Sequence, residues 1–210
     1  MASGLVRGET GSAVAAHIAQ VAARLFSARG YDATSVRAIV EAAGVTKPTL
    51  YYHFGSKEGL AQALFTTPMI RLIEGVREAL SGPGDPIAKL EEMVEAHFAF
   101  AREDPDRARF VFALYFGPLG SGLAADLMKS SEAITRLWTE AARSLAEAGL
   151  VSPERARACA TALRGLIVIH TMDYLYRGSE LGPEELGPEL GRQIVGDLLL
   201  GFGKTKQDRE

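Results

Sequence analysis

The sequence predicts an all-α fold, with a three-helix head at the N-terminus and a larger helical domain behind it. Three observations carry this expectation. Apolar residues return every three or four positions in segment after segment. Capping residues or early prolines stand where those segments begin, as at Thr46 with Pro48, at Pro105 and at Ser152-Pro153. Two Gly/Pro-rich stretches, 81–86 and 117–122, separate long segments from one another. The expected organisation is a head over residues 13–60, a helical domain over 61–202, and disordered tails at 1–12 and 203–210.

The first segment, 14–29, reads as an amphipathic helix with Ile18, Val21, Ala22, Leu25 and Phe26 on one face. Gly30 ends it and Tyr31 can fold back on it. The twelve residues before it, MASGLVRGETGS, lack the apolar core of a signal peptide and read as a tail. His17 has no partner at metal-ligand spacing and reads as an exposed helix residue.

Thr34 stands where a side-chain oxygen can cap a second helix, in which Val36, Ile39, Val40 and Ala43 recur at helical spacing. Gly44 supplies a tight turn, Thr46 caps a third helix, and Pro48 falls early enough to forfeit no intrahelical bond. Two short helices joined by a Gly turn form a helix-turn-helix. In the third helix Val45, Leu50 and Phe54 supply an apolar stripe. The other face offers Thr46, Lys47, Thr49, Tyr51, Tyr52 and His53, all able to donate to a phosphate oxygen or a base edge in a major groove that admits a helix. A solvated surface helix with two aromatics packed down is the plainer alternative. Against it, Gly55-Ser56-Lys57-Glu58 caps a further helix and sets Lys57 beside the same face.

The stretch TSVRAIVEAAGVTKPTLYYHFGSKEGL resembles the DNA-binding domain of the TetR family of bacterial transcriptional regulators, and GVxxxTLYYHFxSKE is its most telling part. The likeness runs over residues 14–65. It implies a double-stranded DNA operator as partner, approached by Arg37 on the first helix of the motif and by Lys47, Pro48, Thr49, Tyr51 and His53 on the second. Thr46, Tyr52 and Lys57 match positions that hold phosphates in the family. Val40, where the family often has Ala, departs from the pattern at a packing position.

Composition is consistent with one compact intracellular, cytoplasmic protein. The 210 residues are 47% hydrophobic and 23% charged, enough for a sizeable core. No apolar run approaches the roughly 20 residues of a membrane span. Net charge is −3, but residues 1–60 hold six Lys and Arg against four Asp and Glu, leaving an acidic remainder. A basic reading head on an acidic body suits a protein that touches DNA at one end. The single Cys159 excludes an intrachain disulfide and reads as a buried, inert thiol.

Residues 56–80 continue as a long helix in which Pro68 forces either a kink or a break and restart. In the family the equivalent helix joins head to body, and its angle is what a ligand alters. Helices over 87–102, 105–116 and 123–148 follow. Their aromatic density supports two readings for His97, Phe98, Phe110, Phe112, Tyr115, Phe116, Met128, Trp138 and, further on, His170: a packed core, or the lining of a cavity for a small hydrophobic or aromatic effector. The resemblance favours an inducer pocket in this region without transferring any residue.

The segment 152–177 is apolar nearly all round in its middle, ALRGLIVIHTMDYLY, and such a helix must be covered on every side. With the helix over 189–202 it invites pairing with a second copy as a four-helix bundle, making a homodimer. Two recognition helices related by a two-fold axis then read a pseudo-palindromic operator in major grooves roughly 34 Å apart. No catalytic or metal constellation accompanies these features: there is no HExxH, CxxC, GxSxG or phosphate-binding Gly loop, and no cofactor is expected. The function expected is that of a ligand-responsive DNA-binding regulator, most simply a repressor, with activation or control by a protein partner as the alternative.

Overall fold

The computed structural model describes residues 3–117, 122–177 and 183–202. All regular structure among them is helical: α1 (Ser3–Arg29), α2 (Val36–Ala43), α3 (Lys47–Phe54), α4 (Lys57–Ser81), α5 (Pro86–Glu103), α6 (Pro105–Phe116), α7 (Gly122–Glu147), α8 (Pro153–Arg177) and α9 (Pro188–Phe202), with a 3-10 turn at Pro183–Leu186. The C-terminal residues 203–210, expected as a tail, lie outside the described residues.

Local chemistry explains most helix starts. Asp85 Oδ1 accepts from the amides of Ile87 and Ala88 at the head of α5, and Asp104 accepts from Arg107 N–H at the head of α6, where Pro105 needs no partner of its own. Ser56 Oγ caps α4 by accepting from Gly59 N–H at 2.9 Å.

Three expectations are corrected. Helix α1 begins at Ser3, so residues 3–12 extend it rather than form a tail; no proline interrupts the stretch, and extending an existing helix adds a hydrogen bond for each residue fixed. The cap of α2 is Ser35, whose hydroxyl accepts from Ala38 N–H, because the buried Thr34 turns its hydroxyl the other way and donates to Gly30 O and Leu25 O. Of the two outcomes expected at Pro68, the break and restart does not occur, since α4 runs through it as one helix. Ser152 does not cap α8 with its side chain: its hydroxyl is buried without a hydrogen-bond partner among the described residues, and its carbonyl accepts from Arg155 N–H.

The chain divides into two compact units. The first takes in residues through Pro68 together with Asp104–Leu127, and the second Met69–Glu103 with the residues from Met128 onward. This differs from a boundary at residue 60, because α6 packs on α1. The core of the first unit joins Ile18, Val21, Ala22 and Phe26 of α1 to Ile39, Val40 and Ala43 of α2, Leu50 of α3, Leu60 and Leu64 of α4, and Phe110 of α6, with the Phe26 and Phe110 rings 5.1 Å apart.

In the second unit α5 packs against α8 and α9, and α8 against α9. Gly191 lets α9 approach α5 closely: a side chain there would meet Val94 Cγ1 at 3.4 Å. Arg102 ties α5 to the 3-10 turn by donating to Leu186 O, while Glu95 on the same helix accepts from its guanidinium. Burial pushes the Cys159 thiol up against a smaller opposing effect of Arg155, which keeps it protonated and unreactive. Among the described residues no helix is long and apolar enough to cross a membrane, and no group of His, Cys, Asp or Glu is arranged to hold a metal ion.

Candidate nucleic-acid interface

The recognition surface begins with how α2 ends. Gly44, at φ +63°, donates its amide to Glu41 O, and Val45 N–H reaches Val40 O at 3.0 Å. This paired closure needs a left-handed residue and reverses the chain within three positions. From α1, His17 Nε2–H donates to Ala43 O at 3.2 Å, satisfying a carbonyl left open at the end of α2. Thr46 then caps α3, accepting from Thr49 N–H, with its hydroxyl 2.8 Å from that of Thr49.

Leu50 anchors α3 and is wholly buried, while Thr46, Lys47, Pro48, Tyr51 and Tyr52 are exposed, Tyr52 to 85%. Thr49 and His53 are half-buried at the margins of that face, and the His53 ring sits edge-on to Tyr52 at 5.1 Å. Arg37 on α2 is exposed and pairs with Glu41 one turn on at 2.7 Å, and that hydrogen bond and charge raise its already high pKa. An exposed pair of this kind contributes little and is easily exchanged for a phosphate. The structure therefore brings eight of the nine expected DNA-contacting residues onto neighbouring short helices.

Lys57 is the exception. Its ammonium donates to Tyr31 O at 2.7 Å and Thr34 O at 2.9 Å and lies 4.1 Å from the centre of the Tyr31 ring. Tyr31 is itself half-buried and packs on Phe26; burial raises its phenol pKa, and the nearby Glu58 and Asp32 carboxylates raise it further.

The nine residues named for an effector cavity fall in both units. In the first, Phe110 belongs to the core, while Phe112, Tyr115 and Phe116 form a chain of ring contacts at 6.1 and 5.0 Å with Tyr115 and Phe116 exposed. In the second, Phe98 and Trp138 are buried and Met128 is exposed. His97 packs its ring 5.5 Å from that of Trp138 and donates from Nδ1 to Met93 O at 2.9 Å. Burial takes its imidazole down to about 4 against the opposing effect of the Met93 bond, and Arg164 adds a smaller push downward. The Trp138 indole N–H is buried without a partner among the described residues. His170 lines a separate cleft of about 350 Å³ with Asp173, Tyr174, Arg177, Glu185, Leu186 and Leu190. That cleft has no sequence signal, because the 3-10 turn supplying one wall reads as plain loop.

The sequence pattern of bacterial regulatory proteins of the tetR family matches residues 18–64, spanning the end of α1 to α4. The HTH-type transcriptional regulator UidR of Escherichia coli is 30% identical over 138 residues, which are 65% of this chain and 68% of UidR. The chain belongs to the TetR family. A second relative, the HTH-type transcriptional activator FasR of Mycolicibacterium smegmatis, is 40% identical over 91 residues, 43% of this chain and 42% of FasR, so the match spans less than half of that protein. The fold of the ketosteroid transcriptional regulator KstR2 of Mycobacterium tuberculosis superposes with a TM-score of 0.73 at 20% identity, covering 91% of this chain and 95% of that one. DNA binding through the helix-turn-helix and a role in transcription regulation follow from membership.

Proposed function

We propose that this TetR-family protein is a cytoplasmic homodimeric repressor, released from a pseudo-palindromic operator by a small apolar effector. The observation that carries the reading is the division of α3: Leu50 fixes the helix from below, while Lys47, Pro48, Tyr51 and Tyr52 are presented to solvent. Lys47 and Pro48, with Thr49, Tyr51, His53 and Arg37, read base edges; Thr46 and Tyr52 hold phosphates. Dimerisation through α8 and α9 is supported by Ile169 and Tyr176 on α8 and Leu200 on α9, large apolar side chains left exposed in the single chain.

The effector binds among the helices of the second unit. Support comes from the buried Trp138 N–H, a donor that a carbonyl or hydroxyl of an otherwise apolar molecule can satisfy, beside the neutral His97. KstR2 of Mycobacterium tuberculosis is a ketosteroid transcriptional regulator, and ketosteroids are molecules of the same apolar, carbonyl-bearing kind. The effector shifts the equilibrium only by its differential affinity for the two states, and DNA weakens effector binding by the same factor. A second reading, activation in place of repression, is favoured by the likeness to FasR, described as an activator.

Fluorescence anisotropy on fragments flanking the protein's own gene, with a random duplex as control, tests the proposal. Saturable binding to one fragment by two protomers, reversed by an apolar carbonyl compound, is the expected result. Equal and weak binding to every fragment overturns it. Transcription from the bound fragment, run with and without the protein, separates repression from activation.

A further inference from the structure

A lysine ammonium carries three protons and no acceptor. At Lys57 two of them go to the carbonyls of Tyr31 and Thr34, at 2.7 and 2.9 Å, and the Tyr31 ring lies 4.1 Å from the nitrogen, within the range at which an aromatic face holds a cation. All three donor directions are met inside the head, and the side chain is half-buried. Lys47, by contrast, is exposed and has no hydrogen bond or ion pair among the described residues.

Both carbonyls belong to the 30–35 connection between α1 and α2, whereas Lys57 is the first residue of α4. That connection is already folded on itself: Thr34, 1% exposed, donates its hydroxyl to Gly30 O at 2.8 Å. The cation therefore joins the end of α1, the entry to α2 and the start of α4 at one point. Moving it toward a phosphate strips two partly buried carbonyls of their charged donor, a loss comparable to what the phosphate returns.

We propose that Lys57 is a positioning residue for DNA reading, a cationic strut that holds the α1–α2 connection on α4 and touches no phosphate. This rests on the reading that α3 enters the groove, and it replaces the phosphate contact that family resemblance implies at this position. The strut fixes where α2, and α3 behind it, stand relative to α4.

The test uses the full chain and two DNA probes: a random duplex, and a duplex selected from a random pool by the wild-type protein. In 15N spectra of the lysine side chains, the Lys57 ammonium of the wild-type protein keeps its position when either duplex is added, while that of Lys47 shifts. Lys57→Met leaves the log-log salt slope on random duplex unchanged, whereas Lys47→Met lowers it by about 0.9. Lys57→Met loses at least tenfold on the selected duplex but less than twofold on the random one, a selective loss that destabilisation alone does not produce. Lys57→Gln, which keeps amide donors on a similar stem, recovers part of that loss and serves where Lys57→Met fails to fold. A shift of the Lys57 signal, or a slope reduced by about 0.9 in its variants, assigns it to a phosphate and overturns the proposal. Undiminished affinity of both variants for the selected duplex overturns the positioning role. Wild-type protein that binds neither duplex overturns the interface reading and the strut with it.

Discussion

Replacing Tyr52 by Phe isolates one hydroxyl on the reading face. The side chain is 85% exposed and its described contact is with the His53 ring at 5.1 Å, which phenylalanine retains. Removing an oxygen that the protein itself does not use changes unfolding free energy by less than about 0.5 kcal/mol. On the proposed reading the same hydroxyl donates to a phosphate, and a hydrogen bond to a charged acceptor contributes roughly 1.5–3 kcal/mol. At the lower end this is about a tenfold loss of affinity. A neutral donor displaces no condensed counterion, so the salt slope stays where it was. Leu50→Ala provides the opposite case: the residue is 0% exposed, and its truncation removes about 2–5 kcal/mol of stability before binding is considered. Anisotropy on the selected duplex at several salt concentrations, beside urea unfolding, reads both variants. Tyr52→Phe binding within twofold of wild type, or losing stability as Leu50→Ala does, refutes the assignment of Tyr52 to the DNA face.

Gly44→Ala and Gly59→Ala differ in kind: the first adds a methyl group that meets nothing within 4 Å, at φ +63°, and loses only the roughly 1–2 kcal/mol of left-handed strain, whereas the second places Cβ 2.1 Å from Phe54 O and forces the backbone of α3 and α4 apart. Urea unfolding shows a clearly larger loss for Gly59→Ala; equal losses contradict the geometry. His97 titrates at about 4 in the folded protein against an ordinary 6.5, so it folds neutral and protonation favours the unfolded chain. Stability from this group is whole above pH 6.5 and falls by about 3 kcal/mol as pH drops toward 4, and unfolding curves of His97→Gln lack that component. A fragment ending at residue 81 lacks α6 and with it Phe110, whose ring lies 5.1 Å from Phe26. Truncating one such ring removes about 3–5 kcal/mol, a large part of a small domain's stability, so the fragment shows no cooperative melt by circular dichroism.

What was legible in the sequence was what short-range chemistry decides. Thr46, Pro48 and Gly44 fix α3 and its turn within a few residues, and Pro105 opens α6 where expected. Adjacent hydroxyls at Thr34 and Ser35 compete for one cap, and the choice depends on Leu25 O, nine residues back, which no local pattern reports. Phe110 reads as a cavity aromatic because its neighbour Phe26 stands 84 positions earlier, and only the folded chain shows that α6 completes the head. Lys57 and Tyr31, 26 residues apart, are hidden for the same reason. The resemblance located the helix-turn-helix where α2 and α3 stand, but a position shared with a family does not report whether a side chain's donors are already taken.

Two long-range polar contacts of the head fall at opposite ends of α2. His17 closes its last carbonyls at Ala43, and Lys57 holds the connection just before its first residue. Between them Ile39, Val40 and Ala43 bury the inner face, so α2 is fixed along its length while Arg37 stays exposed. Helix α3 has only eight residues and inherits its placement from α2 through the Gly44 turn, with Leu50 as its buried anchor. Isolated helices of that length are marginal in water, so their order comes from packing and from these ties. Stability and recognition are thereby carried by different side chains. On the proposed reading, Tyr52, Lys47 and Pro48 can change to suit another operator at little expense to the fold, whereas a change at Lys57 or Leu50 alters where the reading residues stand.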